Sequence, residues 1–134
     1  MFTTGMSEIV LVVEHVDGAA RFYEEVVGLV PEKDADEEWA WFWAGVPGKA
    51  QQVALRKGPL LFEEHSPRPE GERWGQVHLA FEVPRDKLPD AVEHVQGEGV
   101  EVFGPVRLEW MGADSYYFYD PDGNLLEWWS RDAS

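Results

Sequence analysis

The chain contains no cysteine, few basic residues and no long apolar run, and each shortage removes a class of function. Without cysteine there is no disulfide, no thiolate nucleophile and no Cys-ligated metal, so any metal must sit on His, carboxylates, carbonyls or water. Eleven Lys plus Arg against 26 Asp plus Glu leave a formal charge of −15, with the acids spread along the whole chain. Nucleic-acid backbones would be repelled, so no nucleic-acid partner is expected. No stretch approaches the roughly 18 apolar residues of a membrane span, and the first six residues lack the basic start and apolar centre of a signal peptide. A cytoplasmic protein without a membrane partner is the expectation. What is present suits a folded globule: 134 residues, 44% hydrophobic and 13% aromatic, enough for one core and too short for two ordinary domains.

Residues 8–14 are rich in β-branched side chains and read as a buried opening strand. Asp17 is placed to cap a helix in which Ala19, Phe22, Tyr23, Val26 and Val27 recur at three- and four-residue spacing, with Gly28 as a left-handed stop. Extended segments are predicted at 29–33, 39–44, 51–56 and 60–65, separated by turn-forming clusters. The stretch 65–75 holds two prolines, two glycines and five ionisable residues and reads as an exposed connector.

Beyond it, residues 76–83 alternate, with Val77, Leu79, Phe81 and Val83 on one face and Gln76, His78, Ala80 and Glu82 on the other. Asp86 is placed to cap a second helix with Pro89 in its first turn and Gly97 and Gly99 to end it. Strands are predicted at 100–103, 115–119 and 125–129, the last two joined by the hairpin signal Asp120-Pro121-Asp122-Gly123-Asn124. The second half thus repeats the order of the first. His78 follows Glu8 by 70 residues and Glu127 follows Glu63 by 64, an average of 67 that is half the chain. On spacing alone, an unrepeated α+β sandwich with chance offsets is the alternative.

Three motifs carry a resemblance: Arg21-Phe22-Tyr23 running to Gly28-Leu29, the strand Gly75-Gln76-Val77-His78-Leu79-Ala80-Phe81, and the ending Tyr119-Asp120-Pro121-Asp122-Gly123-Asn124-Leu125-Leu126-Glu127. Together they resemble the vicinal oxygen chelate superfamily, the glyoxalase, bleomycin-resistance and extradiol dioxygenase group. The resemblance implies an α+β fold of two βαβββ modules forming a curved half-barrel around one cleft. It implies one domain over residues 1–134, with module one at about 7–65, a connector at about 66–75 and module two at about 76–130. It also implies a divalent metal (Mn, Mg, Fe, Co, Ni or Zn) held by two side chains from each module. His78 and Glu127 match the second module's ligands, while Glu8 and Glu63 match the first module's. Glu8 departs from the His or Gln usual in the family, which disfavours the extradiol dioxygenase and fosfomycin-modifying branches.

Each candidate also has a plain structural reading. His78 lies on the polar side of its strand, where imidazoles are often simply hydrogen-bonded. Glu127, flanked by Leu126 and Trp128, needs compensation by a cation, an Arg partner or a surface-facing register, because an unpaired buried carboxylate costs several kcal/mol. Glu8 and Glu63 could be solvated surface acids, and His65 competes with Glu63 for the same face. Three carboxylates and one imidazole form a hard, oxygen-rich set. Their charge over-neutralises a divalent ion unless one Glu is protonated or detaches to serve as a base, a role open to Glu8 or Glu127.

Seven tryptophans are the other feature. Trp39, Trp41 and Trp43 share one strand face, and Trp110, Tyr117 and Tyr119 lie in the second half. They are either core and dimer contacts or the wall of a ligand pocket. The first expectation is therefore a glyoxalase-like lyase or isomerase acting by proton transfer on a small molecule with vicinal oxygens. The alternative is a non-catalytic, bleomycin-resistance-like protein that sequesters an aromatic or cationic small molecule. Homodimerisation is expected because open sheets leave apolar surface and edges to cover. Anionic glutathione is disfavoured as a guest unless the pocket rim is locally basic, with Arg21, Arg73 or Arg107 as candidates.

Overall fold

In the computed structural model, which describes residues 6–58 and 78–132, the chain divides into two compact units, 1–75 and 76–134. In the first unit β1 (Glu8–Val13) leads into α1 (Val16–Phe22), which continues as a wide π-helical turn, Tyr23–Val27. Gly28 ends it at φ 83°, a left-handed value that a Cβ would oppose. β2 (Val30–Pro31), β3 (Trp39–Trp43) and β4 (Gln52–Lys57) complete a sheet of order β1-β4-β3-β2, with β1 and β4 parallel. Leu11, Leu55 and Phe42 are buried on one face, and Tyr23 from the helical segment lies 6.3 Å from Phe42.

The second unit repeats this plan with β5 (His78–Glu82), α2 (Leu88–Gly97), β6 (Phe103–Leu108), β7 (Ala113–Tyr119) and β8 (Leu125–Arg131). Its sheet order is β5-β8-β7-β6, again first, last, third, second, with the first and last strands parallel. Identical topology in both units decides for duplication over the unrepeated sandwich. Among the described residues no helix is long and apolar enough to cross a membrane.

Several local expectations are corrected. α1 starts one residue before Asp17, with His15 in the extended cap position and no side-chain cap; Asp17 instead sits in the first turn, where its charge faces the helix's positive end. Asp86 lies within a 3-10 turn, Arg85–Lys87, that precedes α2. The strand expected at 100–103 runs from 103 to 108. β6 contains Gly104-Pro105 and is a sheet edge, where proline is tolerated. Gly104 is needed there: a Cβ on it would come within 2.8 Å of the Ser115 carbonyl and 3.2 Å of Tyr116 Cα. The strand expected at 60–65, with Glu63 and His65, lies outside the described residues, as does Arg73.

The 120–124 turn forms as its sequence requires. Asp120 accepts from the backbone N–H groups of Asp122 (2.9 Å) and Asn124 (2.8 Å) and from the Asn124 side-chain amide (2.8 Å). This sets the antiparallel register of β7 on β8.

At the end of the β7–β8 hairpin away from this turn, Arg85 and Arg107 hold the sheet's strands together. Arg85 donates to Asp114 at 2.6 Å and to Asp132 at 2.9 Å, and Arg107 grips both oxygens of Asp132 at 2.7 Å. The Arg85 hydrogen bond holds the Asp114 carboxyl below its ordinary 3.8, and the Arg107 hydrogen bond does the same for Asp132. A carboxyl lowered on folding stabilises above its unfolded pKa, and that contribution is lost as pH falls through the lowered folded values. Thermal unfolding followed from neutral pH down past 3.8 should show the midpoint dropping in the acid range, and the slope should flatten in Asp132→Asn. An unchanged slope in the variant would show that the network is too solvent-screened to matter.

Candidate functional site

Alternation along β5, β8 and β7 sorts the second sheet into two faces. Leu79, Phe81, Leu126, Trp128 and Phe118 turn one way, with Trp128 ring to ring with Phe81 at 5.9 Å and Phe118 at 5.2 Å. His78 and Ala80, then Leu125, Glu127 and Trp129, then Ser115, Tyr117 and Tyr119 turn the other way. Register places Glu127 between Ala80 and Tyr117, and the Tyr117 ring lies 6.3 Å from that of His78.

Glu127 is only 5% exposed. His78 Nε2 lies 2.9 Å from its Oε1, and Ser115 Oγ donates to its Oε2 at 2.5 Å. Among the described residues no Arg or Lys reaches this carboxylate, so its compensation is an imidazole and a hydroxyl. The His78 side chain is 52% exposed, so one side of the pair is open while the other is sealed.

The pair suits a divalent cation. Two ligands at about 2.1 Å from one ion, set at right angles, stand about 3.0 Å apart, and the His78–Glu127 spacing is 2.9 Å. These two atoms thus fit neighbouring corners of one coordination sphere. Among the described residues no group of three or more such side chains comes together. Glu8, at the start of β1, is exposed and belongs to the other unit. Glu63 lies outside the described residues. In the first sheet, β4 is the strand parallel to β1, as β8 is to β5. Counting from Glu8↔Gln52 as from His78↔Leu125, the position matching Glu127 is Ala54, and Trp41 stands across from it where Tyr117 stands across from Glu127.

The tryptophans divide. Trp39, Trp41 and Trp43 share one face of β3, as the alternation requires. Trp39 and Trp41 stack with centroids 5.0 Å apart, too close for a side chain between them. Lys33 Nζ lies 4.3 Å from the Trp41 centroid and Arg56 Cζ 5.0 Å from that of Trp39, so each ring already carries one of the chain's own cations. Arg56 is held in turn by Glu38 at 3.0 Å. Trp110 is 83% exposed in the turn after β6, and Tyr119 is 52% exposed beside Phe103. Of the basic candidates, Arg107 is engaged by Asp132, Glu109 and Asp114, and Arg21 lies exposed in the last turn of α1.

Sequence reasoning missed Ser115. It shares a face with Tyr117 by alternation, but nothing in the linear order says that this face meets Glu127. That follows from the β7–β8 register.

Known proteins share this architecture. A family model described as Glyoxalase/Bleomycin resistance protein/Dioxygenase superfamily matches residues 5–128. Virulence protein STM3117 of Salmonella typhimurium is 30% identical over 130 residues, covering 95% of this chain and 84% of that protein. Its crystal structure matches with a TM-score of 0.74 over 98% of this chain and 100% of that one. Integron cassette protein HFX_CASS4, from the mobile metagenome of the Halifax Harbour sewage outfall, is 31% identical with a TM-score of 0.74, covering 96% of this chain and 99% of its own. TnmS3, an antibiotic binding protein from Streptomyces sp. CB03234, shares the fold at 22% identity, with a TM-score of 0.72 over 98% of this chain and 99% of that one.

Proposed function

The chain belongs to the glyoxalase/bleomycin resistance protein/dioxygenase superfamily, and from that premise we propose that it is a divalent-metal-dependent enzyme of the glyoxalase type. In this reading it is a lyase or isomerase that moves a proton within a small molecule bearing oxygens on neighbouring carbons. The observation that carries it is the 2.9 Å approach of His78 Nε2 to a buried Glu127 carboxylate that has no Arg or Lys beside it among the described residues.

His78 and Glu127 would hold the ion from the second module, with Glu8 and Glu63 completing the set from the first. A bound Mn, Mg, Fe, Co, Ni or Zn ion supplies Lewis acidity toward adjacent substrate oxygens. The chain's own residues divide the remaining work. Glu127, held at both oxygens, serves to bind and orient. Glu8 is exposed and has no partner among the described residues, so it is the carboxylate freer to take up and return a proton. Tyr117 and Tyr119, on the face of Glu127, offer hydroxyls and ring surface to the substrate. The chain acts as one functional domain, as a homodimer in the cytoplasm; light scattering that found only monomer at high concentration would contradict the dimer.

Elemental analysis of protein purified without chelator tests the central claim. About one divalent ion per chain is expected, and protein that holds none and cannot be loaded would overturn it.

A second reading, binding without chemistry, is favoured by the first module's face, which presents Ala54 and Trp41 where the second presents Glu127 and Tyr117. With the Trp39–Trp41 faces covered by Lys33 and Arg56, the guest of such a site would be a neutral or anionic planar molecule, not a cation. Tryptophan fluorescence against a panel of charged and neutral aromatics should then show saturable quenching by the neutral and anionic members. Quenching confined to cations would contradict this reading.

A further inference from the structure

We propose that Ser115 is a positioning residue that limits Glu127 to single-oxygen ligation and so biases the site toward small octahedral cations over Ca2+. The proposal rests on the metal-dependent reading of the same site and specifies how that site selects its ion.

Ser115 is 0% exposed in the middle of β7, two residues from Tyr117 on the face of Glu127. Its hydroxyl donates to Glu127 Oε2 at 2.5 Å, a length typical of a hydroxyl on a carboxylate. The other oxygen, Oε1, is the one that faces His78 Nε2 at 2.9 Å. The two oxygens therefore have different tasks, one tied down inside the sheet and one presented to the open side. The last torsion of a glutamate is broad and roughly two-fold, so an untethered carboxylate would turn freely between one-oxygen and two-oxygen presentation. The Ser115 hydrogen bond removes that freedom.

The difference is chemical. Ca2+ takes six to eight oxygens at roughly 2.3–2.6 Å and commonly uses both oxygens of a carboxylate, whereas Mg2+ demands near-octahedral geometry at roughly 2.0–2.1 Å. Mn2+ belongs with the octahedral oxygen-ligated ions and gives a convenient spectroscopic probe. A carboxylate with one oxygen withheld denies Ca2+ the two-oxygen ligation it commonly uses and costs an octahedral ion nothing. Partners of this outer-shell kind are typically worth about 10- to 100-fold in metal affinity.

The test compares Mn2+ and Ca2+ binding, by titration calorimetry and Mn2+ electron paramagnetic resonance, in wild type, Ser115→Ala, Ser115→Cys and Ser115→Thr. Ser115→Ala should weaken Mn2+ by about 10- to 100-fold while leaving Ca2+ unchanged or tighter, so that the Mn2+/Ca2+ preference collapses. Ser115→Thr, which keeps the hydroxyl, should retain the preference. Ser115→Cys, nearly isosteric with a weak donor, should fall between them and stands in if alanine disturbs the fold, as checked by circular dichroism. Unchanged Mn2+ affinity and preference in the alanine and cysteine variants would overturn the role of Ser115 while leaving the metal site standing. Wild-type protein that takes up no Mn2+ would instead overturn the metal-dependent reading, and this inference with it.

Discussion

Glu127→Gln is expected to abolish stoichiometric divalent-metal uptake while leaving the thermal midpoint close to that of the metal-free unmodified chain. Glutamine keeps the volume of the side chain, and its carbonyl oxygen still accepts from the Ser115 hydroxyl, so the sealed side of the site stays satisfied. What disappears is the negative charge beside His78. Losing a charged ligand should weaken the ion by at least about 100-fold, or roughly 2.8 kcal/mol, enough to empty the site during purification. Glu127→Ala makes the useful contrast. It removes the acceptor as well, leaves a buried hydroxyl without a partner, and should cost about 1–3 kcal/mol of stability on top of the lost metal. Metal content by elemental analysis and calorimetric unfolding of the two variants separate the effects. A glutamine variant that still carries one ion per chain would show that this carboxylate is not a ligand.

Phe118→Ala should have the largest effect on folding. The side chain is 0% exposed, stands 5.2 Å from the Trp128 ring, and fills the face of β7 opposite Ser115 and Tyr117. Truncating a buried phenylalanine removes its transfer free energy and leaves a cavity, typically about 3–5 kcal/mol together. Natural domains hold only about 5–15 kcal/mol in total, so a large fraction of the stability is at stake. Urea unfolding should show a lower midpoint with an unchanged slope. Because β7 and β8 carry Ser115 and Glu127 on their other face, metal affinity should fall in step with the looser sheet. A loss below about 1 kcal/mol, outside the usual range for such a truncation, would show that the Phe118–Trp128 contact does not hold the strands in place.

Much of the frame was legible in the linear order, for identifiable reasons. The 8–14 run is short, mostly apolar and β-branched, and all but its last residue forms β1. Gly28 is a left-handed stop by residue type and has φ 83°. The 120–124 turn was read from Asp, Pro and Gly, each of which acts locally, and Asp120 holds it through three hydrogen bonds. Alternation placed His78 on one face and Leu79 and Phe81 on the other, since side-chain direction in a strand has period two. Structure and local signal part where sheet position outweighs the chemistry of neighbouring residues. The strand expected at 100–103 lies at 103–108, because an edge strand accepts Gly104 and Pro105. Asp17 and Asp86 carry cap chemistry, yet helix starts follow how the preceding strand delivers the chain: Asp17 lies two residues past the cap position of α1 and Asp86 one residue before that of α2.

By itself, the sequence determined the element types, the duplicated order of strands and helices, the exclusion of thiolate chemistry and the acidic surface. These depend on composition and on neighbours a few residues apart. Only the tertiary structure decided that Ser115 and His78 would take opposite oxygens of Glu127, partners 12 and 49 residues away. It also decided that Ala54 would stand where the second module has Glu127, and that Lys33 and Arg56 would cover the Trp41 and Trp39 rings. The physical reason is register: a shift of one residue between strands turns every side chain to the other face, and register is set by packing across the sheet and by the turns that join its strands.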